Sequence, residues 1–358
     1  MIKPVKYSCV ETNLFGPGSL GLLGSELVKK GLRRGFIITD KFLVKAGVVN
    51  KVEAVLSKAG ISHAVFDEVL PNPTVSLVKS AYSAYSQAGC DFIVAVGGGS
   101  PIDTSKAVGI LASNGGEIEQ YEGVNKSKHR SVTVIAVNTT AGTGSEVTSF
   151  YVITDEKRHS KMVMVDGNCQ AAIAVNDPEL MLSMPAGLTA ATGMDAMTHA
   201  IEAYLSVNAT PFSDKDALWA ISTIKKYLPL AVKNGSDVEA RSMMSYGQYS
   251  AGMAFSNSGL GMVHAMAHSL GGFYGLPHGV CNAVLLPYVM EFNGVDKEVQ
   301  KRMRDIAAAL DIKGAGWMVP YRCTLEAVAD IKKLSKLVSI PPKLSQLGVK
   351  EQIGRAHV

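Results

Sequence analysis

The chain has 358 residues, of which 47% are hydrophobic and 7% aromatic, and it carries a formal net charge of +4. This size and hydrophobic content favour two domains, and the scattered lysines and arginines exclude a basic stripe for nucleic acid or a membrane surface. The five cysteines are odd in number, far apart and without a C-x-x-C pair, and no apolar run reaches the roughly 18 residues that span a bilayer. We therefore expect a cytoplasmic protein with a small-molecule partner.

Apolar runs of strand length alternate with helical patterns along the first half of the chain. Five runs that end in polar residues or glycine are predicted strands, at 35–40, 63–69, 91–100, 131–140 and 171–178. Such alternation predicts a parallel sheet covered by helices. After residue 181 long helical patterns replace the strand signals. The sequence thus predicts an α/β domain over residues 1–180 and a helical domain over residues 181–358.

The stretch GGGSPIDTSK, residues 97–106, has the pattern of a phosphate-binding turn. A predicted strand runs into its glycines, and we expect the next helix to begin with Ser100 as N-cap, Pro101 in the first position and Asp103 as capping partner. Glycines admit backbone N–H groups close to a phosphate, and a helix N-terminus adds partial positive charge. The segment predicts a pyrophosphate site, and an ordinary glycine turn is the alternative.

A second glycine motif, GPGSLG at residues 16–21, matches the G-x-G-x-x-G fingerprint of dinucleotide-binding folds. Residues 11–13 do not resemble a buried strand, and Pro17 removes one backbone donor, so we interpret the motif as a plain turn. Asp40 ends the apolar run FIIT. A carboxylate there can accept both ribose hydroxyls of NAD and would repel the 2′-phosphate of NADP, whereas a solvated strand-end aspartate is the alternative.

The loop NTTAGTGSEVTS, residues 138–149, follows another predicted strand and is rich in hydroxyl side chains. Loops of this composition donate hydrogen bonds to phosphate or ribose, but they also serve as plain connections. Its interpretation therefore depends on the neighbouring motifs.

Metal-ligand residue types gather on otherwise apolar segments of the second half: Asp195, His199, His264, His268 and His278. The first two, and the next two, stand four apart, so each pair shares one helix face. We expect Gly271-Gly272 to end the second helix before the last histidine follows in a loop. One carboxylate with three imidazoles suits Fe(II) or Zn(II), but the spacing leaves open which three histidines bind. Satisfied core histidines are the alternative, and Glu202 is a candidate partner of a ligand.

Four motifs in order resemble the iron-containing, group III alcohol dehydrogenases, near their lactaldehyde reductase and 1,3-propanediol dehydrogenase branch: GGGSPIDTSK, NTTAGTGSEVTSFYVITD, ATGMDAMTHAIEAY and GLGMVHAMAHSLGGFYGLPHG. The resemblance covers nearly the whole chain. It implies an α/β N-terminal dinucleotide-binding domain and an all-α C-terminal metal-binding domain, the dehydroquinate synthase-like architecture.

The resemblance also implies roles for individual residues. The metal ligands it implies are Asp195, His199, His264 and His278. It leaves His268 near the substrate as a proton carrier. It implies nine positions around NAD: Asp40, Asn72, Gly98, Gly99, Ser100, Thr139, Thr140, Thr143 and Lys161.

The activity that the resemblance implies is hydride transfer between NAD and a short-chain alcohol or diol, or its aldehyde, whose oxygen Fe2+ holds as a Lewis acid. Zn2+ accepts the same ligands. A dehydroquinate-synthase-like lyase would need arginines and lysines for an anionic substrate, and the ligand-bearing segments contain none. A zinc glycerol dehydrogenase is a nearer alternative. Relatives assemble, so we expect a homodimer or larger homo-oligomer.

The last residues, 353–358, read IGRAHV, which a widely used sequencing-adapter DNA would encode. We expect them to be non-native. We also expect a truncated C-terminus, because relatives continue for a further helical segment.

Overall fold

The computed structural model describes residues 4–350. The expectation about 353–358 concerns residues outside this range. The described chain divides into two compact units: Tyr7–Ser183 form one, and the other begins at Met184 and includes residues 4–6.

Nine strands lie in the first unit: β1 (Thr12–Phe15), β2 (Arg34–Ile38), β3 (Ser62–Phe66), β4 (Phe92–Gly97), β5 (Gly123–Val124), β6 (Thr133–Asn138), β7 (Phe150–Asp155), β8 (Ser160–Val165) and β9 (Ile173–Asn176). Six of them form a parallel sheet in the order β1-β9-β6-β4-β2-β3. The other three form a small sheet in the order β5-β8-β7, in which β7 and β8 are antiparallel.

Five α-helices accompany the large sheet: α1 (Leu23–Lys29), α2 (Lys41–Lys45), α3 (Val48–Lys58), α4 (Val75–Ala88) and α5 (Gly99–Asn114). Alternate side chains of β2 enter opposite cores because side chains alternate in direction along a strand. Phe36 and Ile38 pack in a core with residues of α4 and α5, while Ile37 packs in a second core with residues of α1 and α3. Burial on both faces explains why the central strands of the sheet are continuous apolar runs in the sequence.

The five strands predicted from the sequence are present as β2, β3, β4, β6 and β9. Residues 11–13, which do not resemble a buried strand in sequence, include the start of β1, which begins at Thr12, pairs with β9 and is only half-buried at Thr12 and Asn13. β1 is an edge strand of four residues, so it lacks the long apolar run of a central strand. The β7–β8 hairpin, also missed, places Lys161 beside Thr154.

Seven α-helices form the described part of the second unit: α6 (Ala186–Leu205), α7 (Pro211–Lys233), α8 (Val238–Ser258), α9 (Met262–Tyr274), α10 (His278–Asn293), α11 (Lys297–Ala309) and α12 (Pro320–Leu337). Helices α6, α7 and α8 pack together, and α10 packs against α6, α9 and α12. Gly271-Gly272 does not end α9, which continues to a left-handed Gly275, since packing against α10 outweighs the low helix propensity of glycine. None of the described helices combines the length and apolar character needed to cross a membrane.

Short 3-10 helices complete the described elements, at Ser19–Leu22, Ile118–Tyr121, Gly167–Cys169, Pro178–Leu180 and Leu344–Leu347. A parallel α/β unit followed by an all-α unit is the fold class predicted from the sequence. The prediction of fold class is therefore confirmed.

Candidate functional site

The carboxyl ends of β2 and β4 mark the point where the strand order of the large sheet reverses. The chain leaves β2 toward β3 on one side, and it leaves β4 through α5 toward β6 on the other. Ligands of open α/β sheets bind in the crevice at such a switch point. Because Asp40 follows β2 and Gly98 follows β4, the sheet brings these two predicted nucleotide residues to the same edge.

Two glycines at the start of α5 allow a close approach of the loop 138–149. Gly98 is the N-cap and Gly99 the first helical residue. A Cβ atom on Gly98 would lie 2.8 Å from the Thr140 side chain, and one on Gly99 would lie 3.0 Å from Thr143. The predicted threonines thus lie against the helix N-terminus, where N–H groups and the helix dipole favour an anion.

The capping arrangement predicted for α5 is wrong. Ser100 and Pro101 occupy the second and third helical positions, because the glycine needed for the loop contact also begins the helix. Asp103 accepts hydrogen bonds from Ser145 Oγ at 2.6 Å and from the Val152 amide at 3.0 Å. Its carboxylate therefore holds the segment that follows the threonines instead of capping the helix.

Residues 138–149 are also tied to β4 and to the interior of α5. The Thr139 amide donates to the Gly97 carbonyl at 3.1 Å, and the Thr140 amide donates to Asn138 Oδ1 at 3.1 Å. Lys106, which the sequence analysis did not single out, donates to the Ser145 carbonyl at 2.6 Å. The available signal was a charged residue directly before the apolar run 107–112 of the same helix.

Asp40 has a structural role at the end of β2. Its Oδ1 accepts the Leu43 amide at 2.9 Å and so caps α2. Among residues 4–350, Oδ2 accepts no hydrogen bond from the protein, which leaves one carboxylate oxygen for a ligand. The helix-capping role of Asp40 is therefore compatible with the ribose-binding role predicted from the sequence.

Asn72 and Lys161, far apart in the sequence, meet in the first unit. Lys161 Nζ donates to Asn72 Oδ1 at 2.9 Å. Asn72 adopts a left-handed backbone conformation with φ of 57°, which asparagine tolerates better than most residues. The small sheet and the loop before α4 thus bring together two of the predicted cofactor residues.

The GPGSLG turn has its backbone donors occupied by the protein itself. Asp177 accepts the Gly18 amide at 3.2 Å through Oδ1 and the Leu20 amide at 3.0 Å through Oδ2. These N–H groups are the donors that a phosphate would need. The contact favours the interpretation of this motif as a plain turn, although β1 leads directly into it.

In the second unit, α6 and α9 bring one carboxylate and two imidazoles together in the interior. His199 Nε2 and His264 Nε2 lie 4.0 Å and 3.8 Å from Asp195 Oδ1. The candidate ligand atoms of the three residues all lie within 4.8 Å of one another. Donors that each lie about 2.1 Å from one ion are about 3–4 Å apart, so this spacing suits a divalent metal. The His199 ring stacks on Phe255 at 4.4 Å and on His264 at 4.5 Å.

His278 joins this cluster from α10. It is the first residue of that helix and not part of a loop as predicted. Its Nε2 lies 3.7 Å from Asp195 Oδ1. Gly279 permits the approach, since a Cβ atom there would lie 2.3 Å from the Ala191 carbonyl of α6.

His268 lies one turn after His264 on α9 and is partly exposed. Its ring centroid is 6.2 Å from that of His264 and 5.1 Å from that of His278. The four histidines and the aspartate predicted from the sequence are therefore neighbours in the structure. The more exposed position of His268 sets it apart from the buried His199 and His264.

Asn282 is a member of the cluster that the sequence analysis missed. Its side chain is completely buried, and its Nδ2 lies 2.6 Å from Asp195 Oδ1, 3.0 Å from His264 Nε2 and 3.1 Å from His278 Nε2. Its place four residues after His278, on the same helix face, was the available signal. The amide donates to the same atoms that face one another as candidate metal ligands.

Glu202 fixes the orientation of His264. Its Oε2 lies 2.5 Å from His264 Nδ1, and its Oε1 accepts the Val263 amide at 2.7 Å. We assign the proton of the imidazole to Nδ1, which leaves the lone pair on Nε2 facing Asp195. Burial raises the pKa of Glu202, while the N–H groups at the start of α9 oppose that shift. A carboxylate behind a histidine is a common arrangement at metal sites.

The protonation states of the cluster suit metal binding. Burial alone would raise the pKa of Asp195, but the neighbouring imidazoles and the Asn282 amide lower it to about 2. Burial, with the adjacent His199, lowers the pKa of His264 to about 3. Near neutral pH the cluster therefore offers an anionic carboxylate and a neutral imidazole, the forms that ligate metals.

Comparisons with known proteins identify what this arrangement is similar to. Two family models, described as "Iron-containing alcohol dehydrogenase" and "Fe-containing alcohol dehydrogenase family, C-terminal", match residues 11–178 and 189–356. The chain is 43% identical over 340 residues to the NAD-dependent methanol dehydrogenase of Bacillus methanolicus, covering 95% of this chain and 88% of that protein. It is 43% identical over 344 residues to the lactaldehyde reductase of Escherichia coli (strain K12), covering 96% and 89%. A crystal structure of 1,3-propanediol oxidoreductase superposes with a TM-score of 0.94 at 42% identity, covering 98% of this chain and 91% of that one.

Proposed function

We propose, from the premise that this chain belongs to the iron-containing alcohol dehydrogenase family, that it interconverts short-chain alcohols or diols and their aldehydes with NAD and Fe2+. The family resemblance predicted from four motifs is confirmed, and the chain is an alcohol and aldehyde oxidoreductase. The choice of iron, the size of the substrate and the site residues are the proposal. The observation that carries it is the buried cluster of Asp195, His199 and His264 with His278 beside them.

The proposed metal ligands are Asp195, His199, His264 and His278. When bound, the ion would supply Lewis-acid stabilisation of charge on the substrate oxygen. Asp195 contributes a full negative charge, which favours a divalent cation in a site with little water. Glu202 keeps the Nε2 lone pair of His264 directed into the site through its contact with Nδ1.

His268 is the proposed proton carrier. A dehydrogenase must release the alcohol proton to solvent, and imidazole is the side chain most often used for such a transfer. His268 is partly exposed, and its ring lies 5.1 Å from that of the proposed ligand His278. It can therefore exchange protons with water while lying next to the site.

The proposed NAD residues follow strands of the large sheet or lie in nearby loops, except for Lys161, which lies on β8 of the small sheet. Asp40 would accept the adenosine ribose hydroxyls, and its charge would repel the 2′-phosphate of NADP. The N–H groups of Gly98, Gly99 and Ser100 at the start of α5 would bind the pyrophosphate. The remaining positions would line the rest of the cofactor: Asn72, Thr139, Thr140, Thr143 and Lys161. Support for NAD comes from the similarity to an NAD-dependent relative.

The test is NADH consumption by protein purified without oxygen and loaded with Fe(II). We expect oxidation of NADH with lactaldehyde and propanal, and loss of that activity in an Asp195→Ala, His264→Ala double variant. Loading with Zn(II) in parallel separates iron from zinc dependence. Folded, metal-loaded protein that consumes no NADH with any short aldehyde would refute the proposal and favour a lyase.

Assembly and location are part of the same proposal. We propose a homodimer or larger homo-oligomer, which light scattering after size-exclusion chromatography will test. A cytoplasmic location is consistent with the five cysteines, all of which are free thiols. Fractionation of the source cells will test it.

A further inference from the structure

Lys106 is a lysine without solvent contact in the middle of α5. Its side chain is 0% exposed. Its Nζ atom lies 2.6 Å from the Ser145 carbonyl, 2.9 Å from the Thr148 carbonyl and 2.7 Å from the Phe150 carbonyl. Since a buried lysine must lose its hydration, such a group persists only where the protein replaces the water.

The three carbonyls define the protonation state of this side chain. An ammonium group carries three N–H donors, one for each carbonyl, whereas a neutral amine has two donors and would direct its lone pair at the third oxygen. Burial lowers the pKa of Lys106, and the negative charges of Asp103 and Glu146 oppose that shift. The geometry therefore requires the charged form, which acts as an internal cation for one stretch of backbone.

That stretch is the second half of the loop 138–149 together with Phe150, the first residue of β7. At the N-terminus of α5, the side chains of Thr140 and Thr143 pack against Gly98 and Gly99. Further along the helix, Asp103 holds Ser145 Oγ and the Val152 amide. Helix α5 thus fixes the loop near its N-terminus and again one to two turns later.

We propose that Lys106 is the positioning residue of the nucleotide site: its ammonium group holds the loop 138–149 in the conformation that binds NAD, without touching the cofactor. This inference rests on the proposed function. Three carbonyls of one segment can converge on a single point only in a particular backbone conformation. Loss of the cation would leave these carbonyls unpaired in the interior, and the loop would leave the helix N-terminus to reach water.

The test compares Lys106→Met with wild type and with Lys79→Met, a matched control that removes a surface lysine of α4 paired with Glu117. If the loop of Lys106→Met holds its binding form about a tenth of the time, the Kd for NADH rises about tenfold, because apparent affinity falls with the competent fraction. We expect KM for NADH to rise similarly while kcat changes little. Hydrogen exchange should accelerate within residues 138–150, and bound iron in the second unit should be unchanged.

Equal NADH affinity in wild type and folded Lys106→Met would overturn the inference. If Lys106→Met does not fold, Lys106→Gln decides, because its amide supplies two of the three donors; an intermediate rise in Kd supports the role, and an unchanged Kd overturns it. Failure of the wild-type protein to bind NADH would refute the proposed function itself, and the inference with it. A lowered kcat with unchanged NADH affinity would also contradict a positioning role.

Discussion

The variant Glu202→Gln should weaken metal binding about 10–100-fold, the effect of losing a partner behind a metal-ligating histidine. Glu202 accepts from two groups, His264 Nδ1 at 2.5 Å and the Val263 amide at 2.7 Å. Glutamine has one acceptor oxygen, so its NH2 group must face one of these two donors. A hydrogen bond to a charged group contributes about 1.5–3 kcal/mol, and 1.4 kcal/mol is a factor of ten, which gives the same range.

The assay is competition between the protein and a chelator for Fe(II) under anaerobic conditions, followed by titration of bound iron. Glu326→Gln is the matched control, since Glu326 lies on α12 and pairs with Arg322 at the surface. The control should bind iron as the wild type does. NADH affinity, which belongs to the first unit in our proposal, should be unchanged in both variants and reports that the chain is folded.

A Glu202→Gln protein that holds iron with wild-type affinity would refute this reasoning. It would mean that Glu202 does not set the direction of the His264 lone pair. A lowered melting temperature without a change in iron affinity would have the same meaning, because it would reduce Glu202 to a cap of α9. The cap alone is expected to contribute about 0.5–2 kcal/mol to folding.

Three further variants test the glycine contacts and the aspartate at the sheet edge. Gly98→Ala should weaken NADH binding about 10–100-fold, because a Cβ atom 2.8 Å from Thr140 would force the loop outward at a cost of about 1–3 kcal/mol. Fluorescence titration measures the Kd for NADH, and an unchanged Kd would contradict this prediction. Asp40→Asn should raise the activity with NADPH relative to NADH at constant melting temperature, because asparagine also caps helices; an unchanged ratio of kcat/KM values would count against a ribose contact. Gly279→Ala should lower both the melting temperature and the iron content, because its Cβ would lie 2.3 Å from the Ala191 carbonyl; normal iron content would show that α10 can shift without loss of the site.

The fold class was predictable because apolar runs of strand length alternate with helical patterns in the sequence. These runs are clear because both faces of the large sheet are buried and its central strands carry no polar interruption. The pair Asp195 and His199 was predictable for a similar reason. Polar groups four apart on an apolar helix share one face, and the structure places both in the interior. In each case the pattern of apolar and polar residues within a single helix or strand is enough to predict the feature.

Features that depend on contacts between elements were not predictable in this way. The N-cap of α5 is Gly98 and not Ser100, because the contact with Thr140 decides where the glycine is needed. Helix α9 continues through Gly271-Gly272 because α10 packs on it. Local propensity favoured the wrong boundary both times, and a partner distant in the sequence outweighed it.

Buried polar residues of the two units differ in what completes their hydrogen bonds. Lys106 has all three of its donors matched, by two carbonyls of the loop 138–149 and by that of Phe150 at the start of β7, so its environment is complete and its role is to hold the loop. In the cluster around Asp195, Asn282 Nδ2 has three acceptors within 3.1 Å but only two hydrogens to give them, so its neighbours keep lone pairs that point at one another. A buried ammonium group whose donors are all matched, as in Lys106, indicates a structural cation that belongs to the protein itself. Lone pairs that converge on one point without a donor for each, as around Asp195, indicate a binding site for a cation from solution. This contrast supports the proposed positioning role of Lys106 in the nucleotide loop and the proposed metal site at Asp195 and its histidines.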